Sequence, residues 1–429
     1  MKAVILAGGK GTRLSSLVKN IPKPLVKIGG KPVIEHQIVL LKRYGVKEVW
    51  ILTGYMGEKI KKYFEERKKL GVRFYYYQEK KLMGTAGALK VLEGKIKDDF
   101  LIISGDIMLD INIKRLVDWH KTKKGIATFV VHPSDHPFDS DLVEVNKNKQ
   151  IVSLLKRPHS PKEIFHNTGI ASVYIFSPKV FKYISGRKKS DIEKNLLPLL
   201  IKSKERIYGY STPEYIKDIG VPERLFRVRK DFFSGKIYQF NLENKRKAVF
   251  LDRDGVICEE VDQLYKLEDL SLYKFSGKAI KKINEMGYLA IIITNQPMIA
   301  KGFMTEDDLD QIHKKLETEL SKEGAKIDAI YYCPHHPEKG FSGEVPHLKI
   351  KCKCRKPEIG LFLKAKEDFN IDFKGSYMIG DKTSDILAGK RAGCKTILVK
   401  TGYGGANKKF PIQPDFTVNN LLEGLKVII

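Results

Sequence analysis

The chain has 429 residues, of which 42% are hydrophobic and 10% aromatic, a composition that excludes a disordered or collagen-like protein. Its length is enough for two or three domains, each with its own core. The net charge is +27, from 78 basic and 51 acidic residues. Because the basic residues are spread along the chain without a basic arm, we expect no nucleic-acid partner. A lysine-rich surface and attraction of polyanionic small substrates both account for the charge.

The first residues indicate a cytoplasmic protein. Lys2 is followed by a short apolar run at 3–6 and then by glycines, and this run is too short for the apolar core of a secretion signal. The longest apolar runs, such as 290–294, fall well short of the roughly 18 residues that a membrane span needs. We therefore expect no membrane partner, and the sequence leaves a homo-oligomer open.

Apolar runs of strand length alternate with helical patterns in both halves of the chain. Strands are predicted at 3–6, 48–52, 100–104, 127–131, 171–176, 248–251, 289–294, 329–332, 377–379 and 396–399. Two helices are indicated by apolar residues at helical spacing, namely Ile34, Ile38 and Leu41 before Gly45, and Leu309, Ile312, Leu316 and Leu320. This alternation predicts an α/β protein with parallel sheets covered by helices.

The domain boundary is predicted at a polar stretch in the middle of the chain. Residues 238–246 include Asn-Leu-Glu-Asn-Lys-Arg and separate the last helical pattern of the first half from the strand at 248–251. We predict two doubly wound domains, 1–237 and 247–429, with 238–246 as the linker. The two domains are not a repeat, because the loops after their first strands differ in chemistry.

The loop after the first strand is typical of phosphate binding. It reads Ala7-Gly8-Gly9-Lys10-Gly11-Thr12-Arg13, and its glycines let backbone N–H groups approach phosphate oxygens. Arg13 can bind a phosphate group through two N–H groups at once. Soon afterwards, Pro22-Lys23-Pro24-Leu25 holds a lysine between two prolines, and this combination is far more specific than a glycine-rich turn alone.

These two motifs resemble the signature of sugar-1-phosphate nucleotidyltransferases, such as mannose-1-phosphate guanylyltransferases, and the resemblance extends to about residue 230. It implies a Rossmann-like, GT-A-like domain that joins a sugar 1-phosphate to an NTP and releases pyrophosphate. The nucleotide-binding residues it implies are Leu6, Ala7, Gly8, Gly9, Gly11, Thr12, Arg13, Lys23, Gly84, Thr85 and Asp106. The sugar-binding residues it implies are Arg157, Asn167 and Gly169.

The resemblance also implies roles for the charged residues of this half. Arg13 would stabilise the leaving pyrophosphate, and Lys23 would bridge the nucleotide and the sugar phosphate. Asp106, in Ser-Gly-Asp, and Asp218, in Asp-Ile-Gly, would bind Mg²⁺, which prefers oxygen ligands. The family often has Glu-Lys-Pro where this sequence has Lys-Arg-Pro at 156–158, so the acidic neighbour is absent here.

A second loop with catalytic residue types follows the strand at 248–251. It reads Asp252-Arg253-Asp254-Gly255-Val256. Two aspartates two residues apart can face one site, one as nucleophile and the other as general acid and base. Calcium loops also use Asp-x-Asp-Gly, but the apolar run that begins at Val256 argues against one.

Three later motifs complete a set that resembles the haloacid-dehalogenase (HAD) phosphatases over about 247–429. They are Thr294-Asn295, Arg355-Lys356 and Gly380-Asp381 with Asp385. The resemblance implies an aspartyl-phosphate on Asp252, proton transfer by Asp254, and a Mg²⁺ site formed by Asp252, the Asp254 carbonyl and Asp381. The substrate-binding residues it implies are Thr294, Asn295, Arg355, Lys356 and Lys382.

Three cysteines and a histidine precede Arg355. Cys333-Pro-His335 and Cys352-Lys-Cys354 supply four ligands suited to tetrahedral Zn²⁺, and a site with all four positions filled is typical of a structural metal. This set, together with Cys-x-Cys-Arg-Lys-Pro, closely resembles the heptose 1,7-bisphosphate phosphatases, and histidinol phosphatases share much of it. The heptose enzymes usually have Ser-Gly where this sequence has Pro297-Met298.

We therefore predict a bifunctional enzyme of nucleotide-activated heptose biosynthesis. It would remove the 7-phosphate of D-glycero-D-manno-heptose 1,7-bisphosphate and then join heptose 1-phosphate to an NTP, with GTP as the expected nucleotide. Its partners would be these small molecules, and its cofactors Mg²⁺ in both domains and Zn²⁺ in the second. One alternative is a hexose-1-phosphate guanylyltransferase fused to a histidinol-phosphatase-like domain, and another is an inactive regulatory protein.

Overall fold

The computed structural model describes residues 1–9, 14, 20–67, 70–160 and 162–428, and the contacts among them divide into two compact units. The first unit comprises Met1–His132, Val143–Leu155 and Ile170–Leu242, and the second comprises Pro133–Leu142, Lys156–Gly169 and Glu243–Ile429. The main division falls inside the predicted linker 238–246. Two segments from within the predicted first domain, 133–142 and 156–169, pack with the second unit.

A large sheet forms the centre of the first unit. The strands up to residue 218 are β1 (Lys2–Ala7), β2 (Lys27–Ile28), β3 (Lys31–Pro32), β4 (Glu48–Thr53), β5 (Arg73–Gln78), β6 (Phe100–Ser104), β7 (Ile107–Asp110), β8 (Ala127–His132), β9 (Leu142–Val145), β10 (Ile151–Leu155), β11 (Gly169–Phe176), β12 (Ile207–Ser211) and β13 (Tyr215–Asp218). Nine of these described strands form one sheet in the order β10-β9-β11-β6-β1-β4-β5, with β8 beside β11 and β12 beside β8. The α-helices of this part are α1 (Val33–Arg43), α2 (Gly57–Glu65), α3 (Gly84–Gly87), α4 (Ile113–Lys123), α5 (Leu197–Lys202), α6 (Pro222–Phe233) and α7 (Lys236–Gln239).

The central strand β1 is buried on both faces of this sheet. Ala3 and Ile5 belong to one buried apolar cluster, and Val4 belongs to a second. β1 pairs in parallel with β4 on one side and β6 on the other. A parallel strand covered on both faces needs apolar residues at every position, which explains why the N-terminal run is continuous. Its carboxyl end leads into the glycine-rich loop.

A parallel sheet of six described strands forms the centre of the second unit. The strands are β14 (Ala248–Leu251), β15 (Leu289–Asn295), β16 (Ala329–Cys333), β17 (Tyr377–Gly380), β18 (Lys395–Val399) and β19 (Phe416–Val418). Their order is β16-β15-β14-β17-β18-β19, with parallel pairing throughout. The helices are α8 (Ser276–Glu285), α9 (Pro297–Ala300), α10 (Glu306–Lys322), α11 (Gly360–Phe369), α12 (Thr383–Ala392) and α13 (Leu421–Gly424).

The α/β class and the elements predicted from the sequence are confirmed. All ten predicted strands are present, with ends that differ by at most two residues, and the two predicted helices are α1 and α10. Gly45 follows α1 with a positive φ of +76°, as a glycine at a helix end often does. Within the described ranges, every helix is too short or too polar to cross a lipid bilayer.

The segment 156–169 is held on helix α10 by hydrogen bonds. The Phe165 N–H group donates to Thr318 Oγ1 at 2.9 Å, and the Asn167 N–H group donates to Glu317 Oε2 at 2.8 Å. Between them, His166 lies 2.9 Å from an Asp310 oxygen and 3.3 Å from a Glu317 oxygen. Burial alone would lower the pKa of His166, but these carboxylates outweigh it and raise the pKa to about 10.

Stability of the second unit should therefore fall as the pH rises from about 6.5 to 10. In this range His166 remains protonated in the folded protein but loses its proton in the unfolded chain, whose histidines have a pKa of about 6.5. The contribution of His166 is complete below that pH and is lost as the pH passes through 10. Urea denaturation at several pH values measures this slope. His166→Gln should flatten it, and parallel pH curves for the variant and the unmutated chain would contradict the account.

Candidate active sites

A cavity of about 590 Å³ lies at the carboxyl ends of β1 and β6 in the first unit. It brings together eight of the predicted nucleotide-binding residues, namely Leu6, Ala7, Gly8, Gly9, Lys23, Gly84, Thr85 and Asp106. Three others, Gly11, Thr12 and Arg13, lie outside the described residues. The cavity is large enough for a nucleotide-sized ligand, since pockets for small molecules range from roughly 300 to 1,000 Å³.

An ion pair between a lysine and an aspartate lies in this cavity. Lys23 Nζ is 3.2 Å from Asp106 Oδ2, and Ser104 Oγ donates to the other Asp106 oxygen at 2.8 Å. A β-carbon at Gly105 would lie 3.1 Å from Pro24 Cγ, so the loop after β6 packs closely against the turn that carries the lysine. This close packing explains the glycine in Ser-Gly-Asp and holds both charged groups at one end of the cavity.

The turn at residues 84–87 is fixed by a facing loop. Gly84 has a φ of +78°, and a β-carbon there would lie 2.5 Å from Ser190 O. The next N–H group, that of Thr85, donates to Asp191 Oδ1 at 3.2 Å. Close approach and a left-handed φ both require glycine at the first position of this turn. The turn therefore presents its backbone to the cavity in a fixed conformation.

Glu79, which belongs to no motif in the sequence, lines the same cavity. Glu79 Oε1 accepts a hydrogen bond from the Met83 N–H group at 3.0 Å, and a β-carbon at Gly8 would lie 3.0 Å from Glu79 Oε2. Burial raises the pKa of Glu79. The sequence offered no signal for this residue, because an isolated glutamate in a polar stretch is indistinguishable from a surface residue.

The other predicted residues of the transferase site have different surroundings. Asp218, at the end of β13, accepts a hydrogen bond from the Gly220 N–H group at 2.8 Å and pairs with the Arg224 guanidinium. The Ile219 N–H group donates to Asp106 O at 3.0 Å, so the two predicted metal-binding aspartates lie on adjacent backbone segments. The role of Asp218 stays a prediction.

The predicted sugar-binding residues Arg157, Asn167 and Gly169 belong to the second unit. Asn167 is 5% exposed, and its Nδ2 group donates to Ser134 O at 2.9 Å. The Arg157 side chain donates to Asp139 O at 2.5 Å. These side chains have protein partners here, and their sugar-binding role stays a prediction.

A second cavity, of about 680 Å³, lies at the carboxyl ends of β14 and β15. It collects seven predicted residues of the phosphatase site, namely Asp252, Asp254, Thr294, Asn295, Arg355, Lys356 and Lys382. It is also lined by further charged and polar residues, which include Glu260, Asp262, Gln296, Lys351, Lys353, Asp385 and Lys409. Ligands in parallel α/β sheets bind at this edge, where loops from several strands converge.

A buried lysine lies between two carboxylates at the base of this cavity. Lys356 Nζ is 3.0 Å from Asp252 Oδ1 and 2.8 Å from Asp385 Oδ1, and it donates to Ile293 O at 2.8 Å. Burial opposes the charge on Lys356, but the two carboxylates outweigh this and raise its pKa. The Lys356 N–H group also donates to Asn295 Oδ1 at 3.0 Å, which fixes the loop that carries the lysine.

Three aspartates at this base are suited to bind a divalent cation. One oxygen each from Asp252, Asp381 and Asp385 lie within 4.8 Å of one another, and all three residues are buried. Burial and the two neighbouring carboxylates raise the pKa of Asp381 to about 8, and its Oδ1 has no hydrogen-bond partner among the described residues. A β-carbon at Gly255 would lie 2.4 Å from Asp381 Oδ2, so the glycine of Asp-x-Asp-Gly makes room for this carboxylate.

The four predicted zinc ligands form a cluster in the same unit. Cys354 Sγ lies 3.2 Å from both Cys333 Sγ and Cys352 Sγ, and His335 Nδ1 lies 3.2 Å from Cys354 Sγ. These distances are too long for a disulfide bond, which is about 2.05 Å. They approach the spacing of ligands at about 2.3 Å from one tetrahedral ion. The cluster can therefore hold a metal such as zinc.

Comparisons with known proteins identify relatives for both halves of the chain. Residues 2–234 match the nucleotidyl transferase family, and residues 353–424 match the HAD-hydrolase-like family. D-glycero-beta-D-manno-heptose-1,7-bisphosphate 7-phosphatase from Haemophilus ducreyi is 43% identical over 180 residues, which are 42% of this chain and 96% of that protein. Mannose-1-phosphate guanyltransferase from Saccharomyces cerevisiae is 34% identical over 261 residues, which are 58% of this chain and 67% of that protein.

Solved structures similar to the second half include that of a bacterial phosphatase. The D,D-heptose 1,7-bisphosphate phosphatase from B. bronchiseptica, complexed with magnesium and phosphate, is 29% identical. The similarity covers 42% of this chain and 98% of that chain, with a TM-score of 0.37.

Substitution of Gly84 by alanine should destabilise the first unit more than the same change at Gly94. Both glycines have a positive φ, +78° and +75°, but a β-carbon meets Ser190 O only at Gly84 and nothing within 4 Å at Gly94. The left-handed backbone alone costs about 1–2 kcal/mol in each variant, and the clash adds to this at Gly84. Chemical denaturation measures both losses, and equal losses would contradict the close contact.

Proposed function

We propose that this chain catalyses two consecutive reactions on one sugar. The chain belongs to the nucleotidyl transferase family through residues 2–234 and to the family of the heptose-bisphosphate phosphatases through its second half. The phosphatase removes the 7-phosphate of D-glycero-D-manno-heptose 1,7-bisphosphate. The transferase then joins the retained 1-phosphate to GTP and releases pyrophosphate. The observation that carries this proposal is the buried Asp252–Lys356–Asp385 arrangement in a chain that also holds a nucleotide-sized cavity.

The phosphatase reaction follows from the groups at the base of its cavity. Asp252 attacks phosphorus, the bond to the sugar oxygen breaks, and Asp254 donates a proton to that oxygen. Water then attacks the phosphorus of the aspartyl-phosphate while Asp254 accepts a proton from it, and the bond from phosphorus to the Asp252 oxygen breaks to release inorganic phosphate. The Thr294 hydroxyl accepts a hydrogen bond from Gln296 at 2.9 Å, which leaves its own O–H group to donate to the phosphoryl oxygens. Lys356, beside Asp252, offsets negative charge in both steps.

The transferase reaction relies on positioning and charge neutralisation. An oxygen of the sugar phosphate attacks the α-phosphorus of the nucleotide in line, and the bond to the β-phosphate breaks. Lys23, 3.2 Å from Asp106, offers its ammonium group to both phosphates. Little covalent chemistry is needed from the protein, so fixed geometry and electrostatic stabilisation supply most of the rate.

Magnesium is the cofactor that we propose for both sites. In the phosphatase, Asp252, Asp381 and Asp385 bring one oxygen each from three buried carboxylates within 4.8 Å of one another, and such a set of oxygen ligands suits a hard divalent ion. In the transferase, the proposed ligands are Asp106 and Asp218. When bound, Mg²⁺ neutralises charge that would otherwise repel the phosphate groups.

We assign Zn²⁺ to the cluster of Cys333, His335, Cys352 and Cys354. Four closed ligand positions support a structural role. The cluster lies directly before Arg355, whose Nη1 group donates to His335 O at 3.2 Å, so the metal would order the backbone that positions Arg355 and Lys356. The four thiol and imidazole groups also support a reducing, cytoplasmic location.

A second candidate changes the substrates but keeps both reactions. It is a mannose-1-phosphate guanylyltransferase joined to a phosphatase that acts on another phosphate ester such as histidinol phosphate. Pro297 and Met298 line the phosphatase cavity, where the resemblance to heptose enzymes predicts Ser-Gly. The yeast guanyltransferase at 34% identity favours mannose for the first half. The heptose assignment has the stronger support, since the bacterial phosphatase is 43% identical and is covered over 96% of its length.

Two variants separate the proposed reactions. Asp252→Asn should lower phosphate release from the bisphosphate by at least about 10³-fold, because the nucleophile is lost, yet it should still convert heptose 1-phosphate. Lys23→Met should release phosphate normally but form no nucleotide sugar. Chromatography of the nucleotide products and a phosphate assay measure both activities, with each anomer of the bisphosphate supplied in turn.

A mixture of the two variants provides the control. Each variant alone should fail to make nucleotide sugar from the bisphosphate, and the mixture should restore it. Unchanged phosphate release by Asp252→Asn would overturn the nucleophile. Conversion of mannose 1-phosphate in preference to heptose 1-phosphate would overturn the heptose assignment and favour the second candidate.

Glu79→Gln should weaken the preference for guanine. Guanine presents two adjacent N–H donors on one edge, and the Glu79 carboxylate in the nucleotide cavity can accept both. A glutamine at this position offers one acceptor and one donor. A bidentate contact of this kind contributes about 1–3 kcal/mol of discrimination between bases, so kcat/KM with GTP should fall roughly 10- to 100-fold.

The matched control is Glu58→Gln, an exposed change on helix α2. Initial rates with GTP, UTP, CTP and ATP measure the preference of each variant. An unchanged ratio of GTP to the other nucleotides in Glu79→Gln would exclude Glu79 from base recognition.

A further inference from the structure

Arg253, between the two aspartates of Asp-x-Asp-Gly, is directed at one of them. It is 0% exposed, and its Nε and Nη2 atoms lie 2.8 Å and 3.0 Å from the two carboxylate oxygens of Asp254. Its Nη1 atom has no hydrogen-bond partner among the described residues. Burying a guanidinium group away from water is unfavourable unless a carboxylate pairs with it. The two-contact pairing of Arg253 with Asp254 is therefore a specific arrangement.

Gln296 completes the support of the same carboxylate. Its Nε2 group donates to Asp254 Oδ2 at 3.1 Å, and its Oε1 atom accepts from Arg253 Nη2 at 3.0 Å. The same Nε2 group also donates to Thr294 Oγ1 at 2.9 Å. Gln296 is 2% exposed, so a buried side chain links the carboxylate to the threonine of the phosphoryl site.

We propose that Arg253 and Gln296 are positioning residues that orient the Asp254 carboxyl group toward the leaving-group oxygen in the phosphatase cavity. The Asp254 side chain is 18% exposed and lines that cavity, so the carboxyl group is partly accessible from the cavity while Arg253, Gln296 and the Cys258 Sγ atom at 3.3 Å hold it. The three donor contacts from Arg253 and Gln296 fix the plane of the carboxyl group. This inference rests on the proposed function only for the role of Asp254 in proton transfer.

The chemistry of the first step determines which substrates would react more slowly if the Asp254 carboxyl group were poorly oriented. In the first step an Asp252 oxygen forms a bond to phosphorus, and the bond from phosphorus to the ester oxygen breaks. The electron pair stays on that oxygen, which needs a proton, and Asp254 is the group that we propose to deliver it. An alkoxide leaves poorly without this proton, whereas p-nitrophenolate leaves readily without one. Loss of orientation should therefore slow alkyl phosphates far more than p-nitrophenyl phosphate.

The test compares kcat/KM for the two kinds of ester, since this constant reports steps up to departure of the alcohol. In Arg253→Lys and Gln296→Met, kcat/KM for heptose 1,7-bisphosphate should fall roughly 10- to 100-fold, part of the 10²–10⁴-fold that proton transfer supplies. The value for p-nitrophenyl phosphate should fall less than about threefold. Gln296→Met removes the amide contacts and keeps Arg253, so it remains informative if the arginine variant unfolds.

Arg246→Met is the matched control, because Arg246 is also a buried arginine of this unit, 3% exposed. It should lower both rates by the same factor, if it lowers them at all. Equal losses with both esters in Arg253→Lys and Gln296→Met, or no loss with either, would overturn the proposal. The comparison works with any alkyl phosphate that the protein hydrolyses. Failure on the heptose substrate would therefore reject the proposed function, while the same comparison with another hydrolysed alkyl phosphate would still support or overturn this inference.

Discussion

The phosphatase site depends on the ion pairs that the Lys356 ammonium group forms with two buried aspartates. This group lies 3.0 Å from Asp252 and 2.8 Å from Asp385, where three carboxylates would otherwise face one another away from water. Removing one partner from such a buried arrangement leaves an uncompensated charge, which costs about 3–5 kcal/mol. The sheet brings the loops that carry these charged groups together, because β14, β15 and β17 end side by side. Lys356 reaches this edge from a loop that Asn295 fixes through its backbone.

Most of the fold and the main charged residues of each site could be predicted from the sequence, because they depend on residues that are neighbours in the chain. A strand buried on both faces is a continuous apolar run, and the polar residue that ends the run is placed by the strand itself. Asp252 after β14 and Asp106 after β6 follow this rule. The cluster of Cys333, His335, Cys352 and Cys354 could be predicted because two close pairs of thiol and imidazole groups in one short stretch are typical of a zinc site.

The rest could not be predicted, because the partners are distant in sequence. Glu79 and Gln296 are single polar residues whose roles arise only when other loops pack against them. Segment 156–169 carries motif residues typical of a sugar site, yet its packing on α10 depends on contacts such as that of His166 with Glu317. No periodicity in the sequence marks those contacts. The two activities of this enzyme can therefore be recognised from sequence motifs, whereas the residues that hold the motif side chains in place are seen only in the tertiary contacts.

In the proposed reaction sequence, one sugar loses the phosphate at C7 and receives the nucleotide at C1. Heptose 1,7-bisphosphate labelled with ³²P at either C7 or C1, supplied with GTP and Mg²⁺, tests this claim most directly. We expect the C7 label to appear as inorganic phosphate and the C1 label to appear in the nucleotide sugar. Release of the C1 label as phosphate, or retention of the C7 label in the nucleotide product, would contradict it.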